Sequence, residues 1–145
     1  MTAVVADYNQ ILVDLVGLIS ANMNDIDAVT EEQLDLAFET LNKRRHIDLR
    51  LISSDDAVRA GNEYVSNVMI EATVAVYDLS SYRDAARVRN DLVKELKTLV
   101  RNNQRFTGDA LSTITRRTGF AEGEVERGFI SVAVVEIVVE VYEGG

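Results

Sequence analysis

Tyr64-Val65-Ser66-Asn67-Val68-Met69-Ile70-Glu71-Ala72-Thr73-Val74-Ala75-Val76-Tyr77-Asp78 is the stretch whose reading decides the fold. With a period of two, Tyr64, Val68, Ile70, Val74 and Val76 fall on one face and Val65, Met69, Ala75 and Tyr77 on the other. That alternation marks a strand, so residues 63–78 are predicted to form a single long one. The period then switches with almost no linker. Ala85, Val88, Leu92, Leu96 and Leu99 recur at helical spacing, which predicts a helix over 82–102. Ser80 or Ser81 offers a hydroxyl to cap it, and Asp84 suits its first turn.

Upstream, Ile47, Leu49 and Leu51 alternate with Asp48 and Arg50, as in a strand with one wet face. Ser53 to Asn62 reads as a polar loop, across which this strand pairs with the long one as a hairpin. Val4, Tyr8, Ile11, Leu15 and Ile19, widened by Leu12 and Val16, predict an amphipathic helix over 3–21. Asn22 to Val29 is a polar break. Thr30-Glu31-Glu32-Gln33 then has the form of a capping box, and Leu34, Phe38 and Leu41 continue a short helix near 31–43.

Downstream, Gly108-Asp109 is a turn signal, residues 110–118 read as a strand of unsettled register, and Glu122-Gly123-Glu124 reads as a turn. Residues 128–142 give the strongest strand. Phe129, Ala133, Val135, Ile137, Val139 and Val141 alternate with Ile130, Val132, Val134 and Val138, so both faces are apolar, as in a central strand covered on both sides. The chain of 145 residues is thus a single α+β domain, 1–145, with amphipathic helices packed on a mostly antiparallel sheet. The long strands would each reach about 50 Å at ~3.3 Å per residue. A small core does not cover such strands along their length, so their ends are expected to project as hairpin arms or to meet another subunit.

The residue inventory excludes most chemistry. Without cysteine there are no disulfides, thiol nucleophiles or thiolate metal sites. A single His46 excludes a two-histidine metal site, and the absence of a G-x-S-x-G elbow argues against a serine triad. The glycines form neither G-x-G-x-x-G nor a P-loop. Asp55-Asp56 reads as a cap or turn, and Glu122, Glu124 and Glu126 lack the ligand order of a calcium loop. Lys43-Arg44-Arg45-His46 reads as a solvated basic helix end, with a phosphate or acidic contact as the alternative. No catalytic, metal or cofactor residue is predicted, and the protein is expected not to be an enzyme. The first 42 residues hold eight acids and no Lys or Arg, which fits neither a secretory signal nor a transit peptide. No apolar run approaches the ~20 residues that span a bilayer. A soluble protein made in the cytosol is the expectation.

Charge is unevenly spread. The net charge is −9, yet residues 1–42 sum to −8 and residues 83–117 to +5. A net acidic chain argues against general nucleic-acid binding. On the long helix Arg83, Arg87, Lys94, Lys97 and Arg101 lie close to one face, opposite the leucines, with Asp84 and Asp91 near enough for helical ion pairs. This face is either merely solvated or a contact for the acidic surface of a neighbouring copy.

The amphipathic first helix, the strand Tyr64 to Asp78, the helix that follows at once from Tyr82, and the closing strand Gly128 to Tyr142 together resemble the tail terminator (tail completion) proteins of long-tailed bacteriophages. The similarity lies in order and pattern over about three quarters of the chain, since no diagnostic motif is present. The helix near 31–43 is extra relative to the simplest version of that layout. The resemblance implies a structural virion protein, made in the host cytoplasm and placed in the tail or neck. It implies a homo-oligomeric ring, usually a hexamer, that caps the head-proximal end of the tail tube and joins it to the head–tail connector or stopper. DNA would pass without specific binding, with no cofactor and no membrane. Another neck component, or a ligand-binding α+β domain, are the alternatives.

Overall fold

The computed structural model describes residues 5–33, 44–78, 80–125 and 128–144. The elements run α1 (Tyr8–Asn22), β1 (Ala28–Glu31), β2 (Arg45–Ala60), β3 (Glu63–Asp78), α2 (Tyr82–Asn102), β4 (Ala110–Val125) and β5 (Gly128–Gly144). The five strands form one sheet in the order β1-β2-β3-β5-β4. All neighbours are antiparallel except β1 and β2, which are parallel. The fold is α+β, as the sequence predicts.

The period-two stretch makes β3, which sits between β2 and β5. Its Ser66, Val68, Ile70, Ala72, Val74 and Val76 are buried. In register beside them on β5 lie Val141, Val139, Ile137, Val135, Ala133 and Ser131, all buried too. Ile11, Leu12, Leu15 and Ile19 of α1 and Ala85, Leu92, Val93, Leu96 and Val100 of α2 join them in one core, with Ile47 and Leu49 of β2. Both helices therefore cover the same face. α1 packs toward β1 and β2, and α2 lies over β3, β5 and β4.

Caps set the helix starts. Asp7 accepts from the Gln10 N–H at 3.1 Å, so α1 begins at Tyr8 instead of near residue 3. Ser81 rather than Ser80 caps α2, accepting from the Asp84 N–H at 3.3 Å. Ser80 is used one step earlier. The Asp78 carboxylate accepts from the Ser80 N–H, the Ser80 hydroxyl and the Ser81 N–H, which closes the strand-to-helix corner. The Ser80 backbone bond, chiefly, holds the Asp78 carboxyl below its ordinary value.

Several expectations are corrected. The polar stretch from Ser53 does not leave the sheet: β2 continues to Ala60 and turns at Gly61, whose φ of +56° is one that glycine adopts without strain. Asp55 and Asp56 are ladder residues opposite Asn67 and Ser66, not a cap or turn. Likewise Glu122-Gly123-Glu124 is strand, since β4 runs on to Val125. In both places cross-strand pairing with an apolar neighbour overrides weak local propensity. Ala28–Glu31, inside and just after the predicted polar break, is a short strand that the pattern did not show. Thr30 lies in that strand and does not cap a helix. Of the helix predicted near 31–43, residues 31–33 are not helical, and 34–43 lie outside the described residues. Arg45 and His46 open β2 rather than ending a helix, and His46 is buried. The face of β2 predicted to be wet is dry at its start, for Asp48 is 1% exposed.

Candidate interaction surfaces

The polar groups that this fold buries are used to hold it. The Thr30 hydroxyl donates to Asp48 Oδ1 at 2.6 Å, and the Gln33 N–H donates to the same oxygen at 2.9 Å. Because the Thr30 proton goes to Asp48, His46 Nε2, 2.8 Å from Thr30 Oγ1, is the donor in that contact. Asp48 thus takes the role expected of Thr30: it receives the Gln33 amide that a capping box would satisfy. These bonds fasten β1 to β2. At the other end of the sheet Glu143 is buried and accepts from the Ala6 N–H at 2.6 Å, tying the start of the chain to β5. No group of three or more His, Asp or Glu suited to a metal ion occurs among the described residues.

The predicted basic face is where periodicity put it. Arg83, Arg87, Lys94 and Arg101 are exposed on α2, and Lys97 is half-buried. Arg101 Nη2 reaches Thr115 Oγ1 on β4 at 3.5 Å, so the lower end of this face adjoins the sheet edge. Among the described residues, neither Asp84 nor Asp91 pairs with these bases. The base that sequence reading missed is Arg89. It is 6% exposed, lies 4.8 Å from the centre of the Phe120 ring, and bonds Glu122 at 3.3 Å and Asn90 at 3.1 and 3.0 Å. Its spacing, four after Ala85 and three before Leu92, places it on the buried stripe, and that was the available signal. Arg89 clamps the projecting part of β4 to α2.

The second face of the sheet differs from the first. Met69, Glu71 and Tyr77 of β3 and Ile130, Val132, Val134, Glu136, Val138 and Glu140 of β5 are half-buried. No helix among the described residues packs on this face, yet toward β2 it is closed, for His46, Asp48, Thr73 and Ala75 are buried there. Ile114, beside Val138, is 51% exposed. The strands also outrun the helices. β2, β3 and β4 have 16 residues each and β5 has 17, against 21 for α2. At ~3.3 Å per strand residue and ~1.5 Å per helical residue, roughly 50 Å of strand meets about 30 Å of helix. The β2–β3 hairpin therefore projects from one end with Val58 and Tyr64 exposed, and the β4–β5 hairpin projects from the other with Phe120 exposed.

A groove of about 450 Å³ between the end of α1 and the middle of α2 is lined by Asn22, Met23, Lys94, Glu95 and Thr98 among others. Its charged residues are exposed, so it lacks the buried convergent polar groups of a ligand site. No helix among the described residues is long and apolar enough to cross a membrane. No protein-family model matches the chain, and no curated protein matches its sequence.

Proposed function

We propose that this chain is a structural virion protein of the tail-terminator type, whose copies form a ring at the head-proximal end of a phage tail tube and join it to the head connector. The observation that carries the reading is the one-sided sheet. Its four long strands outrun the described helices at both ends, and its second face carries half-buried Met69, Ile130, Val132, Val134 and Val138 and exposed Ile114 under no described helix. A monomer gains nothing from leaving Ile114 on that face, or Val58, Tyr64 and Phe120 on the arms, wet, whereas an assembly buries them. The buried polar groups serve as fasteners within the fold, which favours assembly over catalysis as the role of this domain.

Light scattering after size-exclusion chromatography tests the ring. The expected result is a multimer, or a monomer that multimerises on assembled tail tubes. A chain that stays monomeric both at high concentration and with tubes overturns the proposal. Rings that bind connector but not tubes would make it a connector or stopper component instead. Duplex DNA should not be retained at physiological salt, given the net charge of −9. Gel-shift binding at micromolar protein that falls steeply with salt would contradict passage without binding, and would direct attention to Arg44, Arg45 and Arg50.

A further inference from the structure

The fold sorts charge to opposite edges of the sheet. α1 and β1 lie at the β2 edge, and residues 5–33 carry six acids and no base. α2 and β4 lie at the other edge, and residues 82–125, to the end of β4, carry nine bases against six acids. Residues 44–60 add Asp48, Asp55 and Asp56 and four bases to the first edge, which stays acidic at nine acids to four bases. Arg50 pairs with Glu71 at 3.4 Å and Arg45 Nη1 reaches the Asp25 carbonyl at 3.5 Å, while Arg44 and Arg59 are exposed.

Among the described residues, both edges also present backbone with no strand beside it. β1 covers only the start of β2, from His46 to Leu49. The Glu32 side chain then takes the Leu51 N–H at 2.8 Å. From Ile52 to Ala60 the outer side of β2 has no strand beside it among the described residues, and there Asp55 and Asp56 are exposed. Among the described residues β4 is bordered only by β5, and Arg116 and Arg117 are exposed at its bulge between Thr115 and Thr118. Charges and bulges on an edge normally guard it against pairing. Guarding works with either sign. Here the signs are opposite, so each edge repels its own kind and attracts the other.

We propose that copies of this chain join head to tail through these edges, the acidic β2 arm of one copy docking along the basic β4 edge of the next. This deepens the ring proposed above and rests on it. Strand direction agrees. Successive antiparallel pairings from β2 to β3, β5 and β4 leave β4 opposite in sense to β2, so a copy in the same orientation brings β2 alongside β4 antiparallel. An isologous dimer would set Asp55 and Asp56 against themselves, or Arg116 and Arg117 against themselves. A heterologous contact avoids both and closes into a ring. Asp55 shares a row with Asn67 and Glu140, while Arg116 and Arg117 flank the row of Glu71 and Glu136. Bringing them together needs a slide of about four residues, roughly 13 Å, the kind of stagger that tilted strands acquire in a closed ring.

The test uses two double variants of the full chain, Asp55→Arg with Asp56→Arg, and Arg116→Asp with Arg117→Asp. All four residues are exposed, and circular dichroism checks that each variant folds. Sedimentation should show each variant associating at least about tenfold more weakly than the parent. An equimolar mixture should reassemble, because the basic arm of one variant meets the acidic β4 edge of the other. Undiminished association of either variant, or loss without rescue in the mixture, overturns the edge assignment while leaving the ring reading intact. A parent chain that is monomeric alone and on tubes overturns both.

Discussion

The two faces of the β3–β5 ladder are made from adjacent residues of the same strands, yet they have different fates. Ile137 points into the core and is fully buried, while Val138, one residue on, is half-buried on a face where no described helix packs. The difference is in what crosses above them. α1 and α2 supply a stripe of Leu, Ile and Val to the first face, and the described chain has no further helix for the second. Hydrophobic character alone therefore does not say whether a residue stabilises the monomer or waits for a partner. Position relative to the helices does.

The widest separation between the faces should appear on truncation. Ile137→Ala removes atoms from a packed site and should cost about 2–5 kcal/mol in urea unfolding of the monomer. Val138→Ala should cost no more than about 1 kcal/mol, as its outer side has little to lose. Equal losses at the two positions would mean that the second face is packed within the monomer, and the contrast would collapse.

A polar version of the contrast exists on the second face itself. Asp48 and Arg50 share that side of β2. Asp48 is buried and takes two hydrogen bonds, while Arg50 is exposed in its pair with Glu71. Asp48→Ala leaves the Thr30 hydroxyl and the Gln33 amide without their acceptor and should destabilise by about 1–3 kcal/mol. Arg50→Ala should cost about 0–1 kcal/mol, as surface ion pairs do. Chemical denaturation of both variants checks the ranking.

Residues whose neighbours lie close in sequence were the ones legible in it. The α2 stripe from Ala85 to Leu99 and the β3 alternation needed only their own periods, and both were placed within a residue or so of where they lie. The far half of β2 was not legible. Ser53 to Ala60 is polar and stays in the ladder because β3 supplies the pairing partner across Gly61, a long-range cause that no local window carries. Asp48 misled for a similar reason: an acid alternating with leucines looks wet until Thr30, eighteen residues earlier, is brought beside it. The basic face of α2 was read correctly as a surface, while the charge sorting between sheet edges needed the strand order β1-β2-β3-β5-β4, in which β5 inserts between β3 and β4.

A smaller effect is expected at the corner that joins the covered ladder to α2. Ser81→Ala removes the acceptor for the Asp84 N–H and should cost about 1 kcal/mol. Asp78 beside it has its pKa lowered in the folded chain, mainly by the Ser80 N–H. The sign follows from linkage: its contribution is present above the ordinary carboxyl value near 3.8 and is lost as pH falls through the lower folded value. Asp78→Asn should therefore reduce stability at neutral pH and make the difference from the parent shrink below about pH 4. A difference that persists unchanged at lower pH would show that the charge on Asp78 is not what holds the corner.

The least effect on folding is expected on the outer face of α2, where Arg87 and Lys94 are exposed and lie opposite the buried leucines. Reversing both, Arg87→Glu with Lys94→Glu, should shift thermal unfolding of the monomer by no more than about 0.5 kcal/mol equivalent. Its effect on assembly separates two surfaces of the same basic side. Arg116 and Arg117 sit on the sheet edge, where a neighbour's strand would lie against them, whereas Arg87 and Lys94 sit on the helix that covers the sheet. A charge at the rim of a contact steers association and loses little when changed, while one desolvated within it can lose about 2–5 kcal/mol. Sedimentation of the α2 variant beside the Arg116 and Arg117 variant measures the ratio. A larger loss at the edge is expected. A larger loss on α2 would move the neighbour from the edge of the sheet onto the helix layer, where Arg83, Arg87, Lys94, Lys97 and Arg101 would then be the contact.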